Sequence, residues 1–242
     1  MENVFEKTVK NRIGLNDSKL LFCTISGSNK HNLSKPENSD TDYWGIYQTP
    51  TSKQISLNVP KSTVSCGGNE DKENFPDHTF HELKKYIELL VKGNPEAVET
   101  LFIPDHYGVT SSPEFERIKE LRKGLLTKKL LKGYIGFLKS NLSKVKKGTS
   151  KKSKKMYHVF RMIFECRRIL NGGSPIVYFP DGEEREFIMK IRNDETDLLD
   201  LINIAERHVE ELEEKEDSSE LPEKADSGPF DELLVEIRKG FW

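Results

Sequence analysis

The side chains best suited to chemistry lie between residues 27 and 43. Gly27-Ser28 comes first, and eleven residues on stands Ser39-Asp40-Thr41-Asp42-Tyr43. On an extended strand, residues two apart share a face, so Asp40 and Asp42 project together. Two carboxylates held side by side repel each other and are hard to keep ionised, so the pair calls for a counter-charge. A divalent cation supplies one: Mg²⁺ takes oxygen ligands and is usually held by one or two carboxylates plus substrate phosphates. Glycine lets the backbone come close to such phosphates, and a serine hydroxyl can donate to them.

The flanking pattern says which elements must position these groups. Leu20-Leu21-Phe22-Cys23-Thr24-Ile25 is an apolar run that reads as a buried strand, and Tyr43 to Tyr47 reads as a second. Between them, Asn29 to Asn38 reads as a mobile loop. Gln54-Ile55-Ser56-Leu57 reads as a further short strand, residues 61–76 as a loop, and Asp77-His78-Thr79-Phe80 as a third strand. Leu83, Tyr86, Ile87, Leu90 and Val91 then recur at helical spacing and form one buried stripe. Gly93 ends that helix, and Asn94-Pro95 starts the next as N-cap and first-turn proline. From Pro113 onward the chain reads as almost wholly helical, with helices near Glu114 to Leu121, Leu126 to Val145, Lys154 to Leu170 and Thr196 to Glu216. Residues 217–228 read as a linker and Phe230 to Ile237 as a last short helix.

Composition narrows the class. The 242 residues are 35% hydrophobic and 32% charged, polar but still enough for a sizeable core. No stretch approaches the length of a membrane span, and the N-terminus has no apolar signal region. The three cysteines are far apart and form no Cys-x-x-Cys pair, which argues for a reducing, cytoplasmic interior. A net charge of −2 hides an asymmetry: lysine is dense from Lys144 to Lys155, whereas Glu183 to Asp226 is strongly acidic. A basic surface for phosphates or nucleic acid would account for the first, and a solvated face for the second. No Walker loop and no Gly-x-Ser-x-Gly elbow occurs.

The run Leu21 to Tyr47, with Gly27-Ser28, Asn38-Ser39-Asp40-Thr41-Asp42-Tyr43 and Gly45-Ile46-Tyr47, resembles the signature of the DNA polymerase beta-like nucleotidyltransferases. Within that superfamily it is similar to the RlaP-type branch associated with RNA repair. Lys92-Gly93-Asn94-Pro95 and the helix carrying Lys154-x-x-x-His158-x-x-Arg161 share the likeness, which spans roughly residues 15–192. The resemblance implies an α+β fold: a small mixed nucleotidyltransferase-type sheet flanked by helices, followed by a helical domain. The corresponding division is 1–112 for the catalytic core, 113–216 for a mainly helical nucleotide and substrate domain, and 217–242 for a linker and C-terminal helix.

The resemblance also implies roles. Asp40 and Asp42 would hold Mg²⁺, with Mn²⁺ as the alternative. A third carboxylate is required on a neighbouring strand; Asp71, Glu73, Asp77 and Glu82 are the candidates. The branch would place it just before the Leu83 helix, at Asp77. Gly27 and Ser28 would position the β- and γ-phosphates of a nucleoside triphosphate. Lys154, His158 and Arg161 would form a cationic column facing the nucleotide, on a helix face they share with Lys151 and Glu165 and opposite Met156, Val159, Phe160, Ile163 and Phe164. The implied reaction transfers a nucleoside monophosphate to an acceptor hydroxyl and releases pyrophosphate, with an RNA 3′ end as the favoured acceptor. Two alternatives remain open: a non-catalytic nucleotide- or RNA-binding module that partners an RNA-repair enzyme, and a protein-modifying nucleotidyltransferase. Tyr43, Trp44 and Tyr47 are either base-stacking residues or core.

Overall fold

A computed structural model describes residues 9–11, 14, 16–35, 42–66, 77–148 and 151–242. The fold is α+β, and the chain divides into two compact units. The first comprises Met1–Val91, Ile103–Arg122 and Asp226–Trp242; the second comprises Lys92–Phe102 and Lys123–Ala225. This differs from the linear division expected from sequence. The boundary falls well before and after residue 112, and the C-terminal segment folds with the first unit.

The first unit is built on a mixed five-stranded sheet of order β3-β4-β2-β1-β5. Its strands are β1 (Lys19–Ile25), β2 (Tyr43–Gln48), β3 (Thr63–Cys66), β4 (His78–Glu82) and β5 (Gly108–Ser111). Only β2 and β4 run parallel; the other pairs are antiparallel. β1 and β2 are buried along almost their whole length, as continuous apolar runs in the middle of a sheet should be. At the sheet centre a Cβ on Gly45 would lie 2.3 Å from the Phe80 ring and 2.7 Å from the Phe22 carbonyl. Only glycine fits there. Phe22 stacks on Phe115 with ring centroids 4.0 Å apart, which ties the sheet to the helix Pro113–Glu120.

Two expectations for this unit fail. Gln54 to Leu57 is not a strand: Thr51–Gln54 is a helical turn, and Ile55 and Leu57 beyond it are 70% and 103% exposed. With no neighbouring strand to bury them, alternating apolar residues gain nothing from extension. Residues 63–66, expected to be loop, form the edge strand β3, held by pairing from Thr63↔His81 to Cys66↔His78. The stripe on the helix Leu83–Val91 is present, with Leu83, Tyr86, Ile87 and Leu90 buried, and Trp44 meets Tyr86 edge-on at 5.7 Å.

The last helix, Gly228–Lys239, buries Phe230, Leu233 and Ile237 and closes onto the sheet through a buried carboxylate. Glu82 Oε1 accepts from Arg238 Nη2 at 2.6 Å and from the Thr49 amide and hydroxyl at 3.4 Å each. Arg238 Nη1 donates to the Thr49 carbonyl at 3.0 Å. Thr51 adds bonds to the Arg238 and Phe241 carbonyls.

In the second unit, the helices Lys128–Lys146, Lys152–Leu170, Glu183–Arg192 and Leu198–Ser218 form the core. The helix Glu183–Arg192 is one that the sequence pattern does not predict. Asn94 caps the short helix Pro95–Glu99 as expected, its Oδ1 accepting from the Ala97 amide at 3.0 Å. Gly93, at φ +69°, allows this segment to lie against the backbone at Lys129 and Leu130. The expected linker is tied down: the Pro222 and Glu223 carbonyls accept from the Lys128 and Lys129 amides. Among the described residues no helix is long and apolar enough to cross a membrane.

Glu82 is 2% exposed at its side chain and Arg238 13%. Removing one partner strands a buried charge, so Arg238→Met is predicted to cost about 3 kcal/mol in urea unfolding. Pairing it with Glu82→Gln should restore part of that loss.

Candidate active site

One end of the sheet gathers several of the residues singled out by sequence. The chain leaves β1 at Ser26, turns at Gly27 with φ +70°, and winds into the single helical turn Gly27–Lys30. The Ser26 amide donates to the Asp42 carbonyl at 2.8 Å. On the other side, the Tyr43 amide donates to the Asp77 carbonyl at 2.9 Å, continuing a register in which Tyr43 faces His78. Asp77, Asp42 and Ser26 therefore lie side by side just beyond the ends of three neighbouring strands, about 4.8 Å apart across each step. A Cβ on Gly27 would make an ordinary contact 3.4 Å from Asp42 Oδ2, so it is the left-handed backbone rather than space that favours glycine here.

The turn after Gly27 is well tied, in contrast to the mobile loop expected from Asn29 onward. The Ser28 carbonyl accepts from the His31 and Leu33 amides, and Asn32 adopts φ +57°. Leu33 is fully buried, and Lys30 and His31 are 6% and 4% exposed. Ser28 is half-buried beside them. Trp44 and Tyr47 are 4% and 1% exposed and belong to the core; of the three aromatics only Tyr43, half-buried, borders the carboxylate.

Asp40, Asp71 and Glu73 lie outside the described residues. Glu82, the remaining candidate for the third carboxylate, sits at the far end of β4, about 16 Å along the strand from Asp77. It is also already engaged by Arg238. Among the described residues no group of three or more His, Cys, Asp or Glu side chains is clustered as for a metal. Asp42 and Asp77 supply two oxygen-donor groups beside the Gly27 turn. That donor set suits a hard divalent cation, with Asp40 two residues upstream of Asp42.

The cationic column belongs to the second unit and does not form as read. On the helix Lys152–Leu170, Lys154 is exposed and His158 is half-buried against Tyr157, ring centroids 4.1 Å apart. Arg161 is buried, and its Nη1 donates to Glu99 Oε1 at 2.6 Å. The Tyr134 hydroxyl donates to the same Glu99 oxygen at 3.2 Å. Arg161 therefore serves an internal ion pair, which corrects its assignment to the open face. Glu165, placed on the same face by sequence, is also buried: Arg168 Nη1 donates to Oε1 at 3.0 Å, and the Ile176 amide to Oε2 at 2.9 Å. The helix is buried on nearly all sides, so polar residues on it need internal partners. The partner of Arg161 is 62 residues upstream, and no local signal points to it.

Burial pushes the Glu165 carboxyl up to about 8, Arg168 opposing and the nearby Glu99 charge adding to the shift. Its ordinary value is 4.5, so the folded chain keeps a proton that the unfolded chain gives up. The resulting stability is complete below pH 4.5 and is lost as pH rises through about 8. Urea midpoints are therefore predicted to fall across that window, and Glu165→Gln to flatten the fall.

One comparison with known proteins identifies a family. The family described as RlaP, RNA repair pathway DNA polymerase beta family, matches residues 1–236. An uncharacterized 38.9 kDa protein from the nrdC-mobD intergenic region of Enterobacteria phage T4 is 28% identical over 131 residues. That alignment takes in 52% of this chain and 38% of the phage protein, so the chain spans well under two thirds of its relative. No solved structure matches.

Proposed function

The chain belongs to the RlaP family of DNA polymerase beta-like nucleotidyltransferases of RNA repair, and from that premise we propose that it transfers a nucleoside monophosphate from a nucleoside triphosphate to an RNA 3′ hydroxyl. The observation that supports this reading is the juxtaposition of Asp42, Asp77 and the Gly27 turn at one end of the sheet.

Asp42 and Asp77, with Asp40, would hold Mg²⁺ or Mn²⁺. A cation bound there neutralises phosphate charge and stabilises the entering and leaving oxygens of an in-line displacement. The protein groups divide the remaining work. The Gly27 turn admits the β- and γ-phosphates close to the backbone, and Ser28 donates a hydrogen bond to them. Asp77 takes the proton from the acceptor hydroxyl as its oxygen bonds to the α-phosphorus. The bond from that phosphorus to the bridging oxygen breaks, and pyrophosphate leaves with the electron pair. Lys154 and His158 lie on a helix of the second unit and are given no part in this step. Arg161 is omitted because Glu99 already occupies it.

The test uses nucleoside triphosphates radiolabelled at the α-phosphate, with Mg²⁺ and a mixed RNA pool. Label is predicted on RNA, falling by roughly a hundredfold or more in Asp42→Asn and in Asp77→Asn. Gly27→Ala should also lower activity, because alanine disfavours the left-handed backbone of the turn beside Asp42, at a cost of about 1–2 kcal/mol in stability. Label on the protein itself would instead indicate a protein-modifying enzyme. No label with any nucleotide would leave a binding module as the better account.

A further inference from the structure

The lysine-dense stretch and the acidic helix meet only in part, and the remainder is informative. The helices Lys128–Lys146 and Leu198–Ser218 run antiparallel, joined by a ladder of ion pairs. Lys128 pairs with Glu223 at 3.1 Å, Lys132 with Glu216 at 3.5 Å, Lys139 with Glu213 at 2.8 Å, and Lys146 with Glu206. Four acids of the stretch thus meet lysines of their own unit. Beyond Lys146 the ladder stops. Lys147, Lys151 and Lys152 are exposed and make no ion pair among the described residues, and the next exposed lysine is Lys154.

Glu206 and Glu210 line the same groove as Lys147, but neither pairs with it, and Glu206 bonds to Lys146 instead. Nor does helix stability account for the lysines. Lys151 and Lys152 begin the helix Lys152–Leu170, where the macrodipole disfavours positive charge, and the first turn holds no acid. The chain contains no Asp or Glu at all from residue 121 to 164.

We infer that Lys147, Lys151 and Lys152 form a contact surface for the phosphate backbone of RNA. The inference rests on the proposed RNA acceptor and assigns where that RNA is held. The nearby apolar side chains Val145 and Met156 are buried, so the surface offers charge without hydrophobic anchors. Protein interfaces are poor in lysine and rely on aromatic and arginine anchors, whereas backbone phosphates need only positioned cations. Recognition by this surface is therefore independent of sequence and sensitive to salt.

The experiment is fluorescence anisotropy of the full chain with a labelled single-stranded RNA, without nucleotide or divalent metal, between about 50 and 200 mM salt. Lys147→Ala/Lys151→Ala/Lys152→Ala is predicted to reduce the slope of log affinity against log salt by about 2, since each phosphate contact on a single strand contributes about 0.7. The charge-matched variant Lys128→Ala/Lys132→Ala/Lys139→Ala should keep the wild-type slope. Replacing the three surface lysines with arginine should keep it as well. Equal losses in both alanine variants, an unchanged slope in the surface variant, or no RNA binding by the wild type would each overturn the inference. The transfer assay is read separately. If RNA binding depends on the three lysines but no label is transferred, the surface stands and the transferase reading falls. If transfer depends on Asp42 while RNA binding ignores the lysines, the reverse holds.

Discussion

The parallel pairing of β2 with β4 is the constraint on which the candidate site depends. Its register places Tyr43 opposite His78 and so sets Asp77 beside Asp42. Gly45 allows that pairing, because Phe80 lies across its α-carbon where any side chain would collide. A slip of one residue would put the apolar residues of β4 on the wrong face and separate the two carboxylates. Packing in the sheet centre and chemistry at the sheet end are thus one problem, solved by a glycine three residues from the carboxylate it helps to position.

The opposite end of the same two strands is held by other means. Glu82 and Arg238 form a buried pair that brings the C-terminal helix onto the sheet, with Thr49 and Gln48 bonding to both sides of the junction. The acids at the two ends of β4 therefore differ in role, since Glu82 is enclosed and paired whereas Asp77 is exposed. Within the second unit, Glu99 has the organising role, receiving Arg161 and Tyr134 in the interior.

Much of this is legible in sequence where the signal is local. β1 and β2 are continuous apolar runs, the stripe on the helix Leu83–Val91 repeats at helical spacing, and Asn94-Pro95 is a cap followed by a first-turn proline. Elements that exist only through their partners are not legible. β3 and β5 are short, polar edge strands whose extension depends on β4 and β1, and Ile55 and Leu57 look strand-like but have no neighbour. Arg161 shows the same limit in a side chain. An arginine on a helix reads as exposed unless a distant acid is known to meet it. The return of residues 226–242 to the first unit likewise rests on a contact spanning 156 positions, between Glu82 and Arg238.

The central claim is that Asp42 and Asp77 act on one site. The most direct measurement is calorimetric titration of Mn²⁺ into the chain with a non-hydrolysable nucleoside triphosphate, comparing wild type, Asp42→Asn, Asp77→Asn and the double variant. The account predicts that each single variant weakens Mn²⁺ binding by about tenfold or more, and that the double variant loses less than the sum of the two. Wild-type affinity in Asp77→Asn, or strictly additive losses in the double variant, would contradict it.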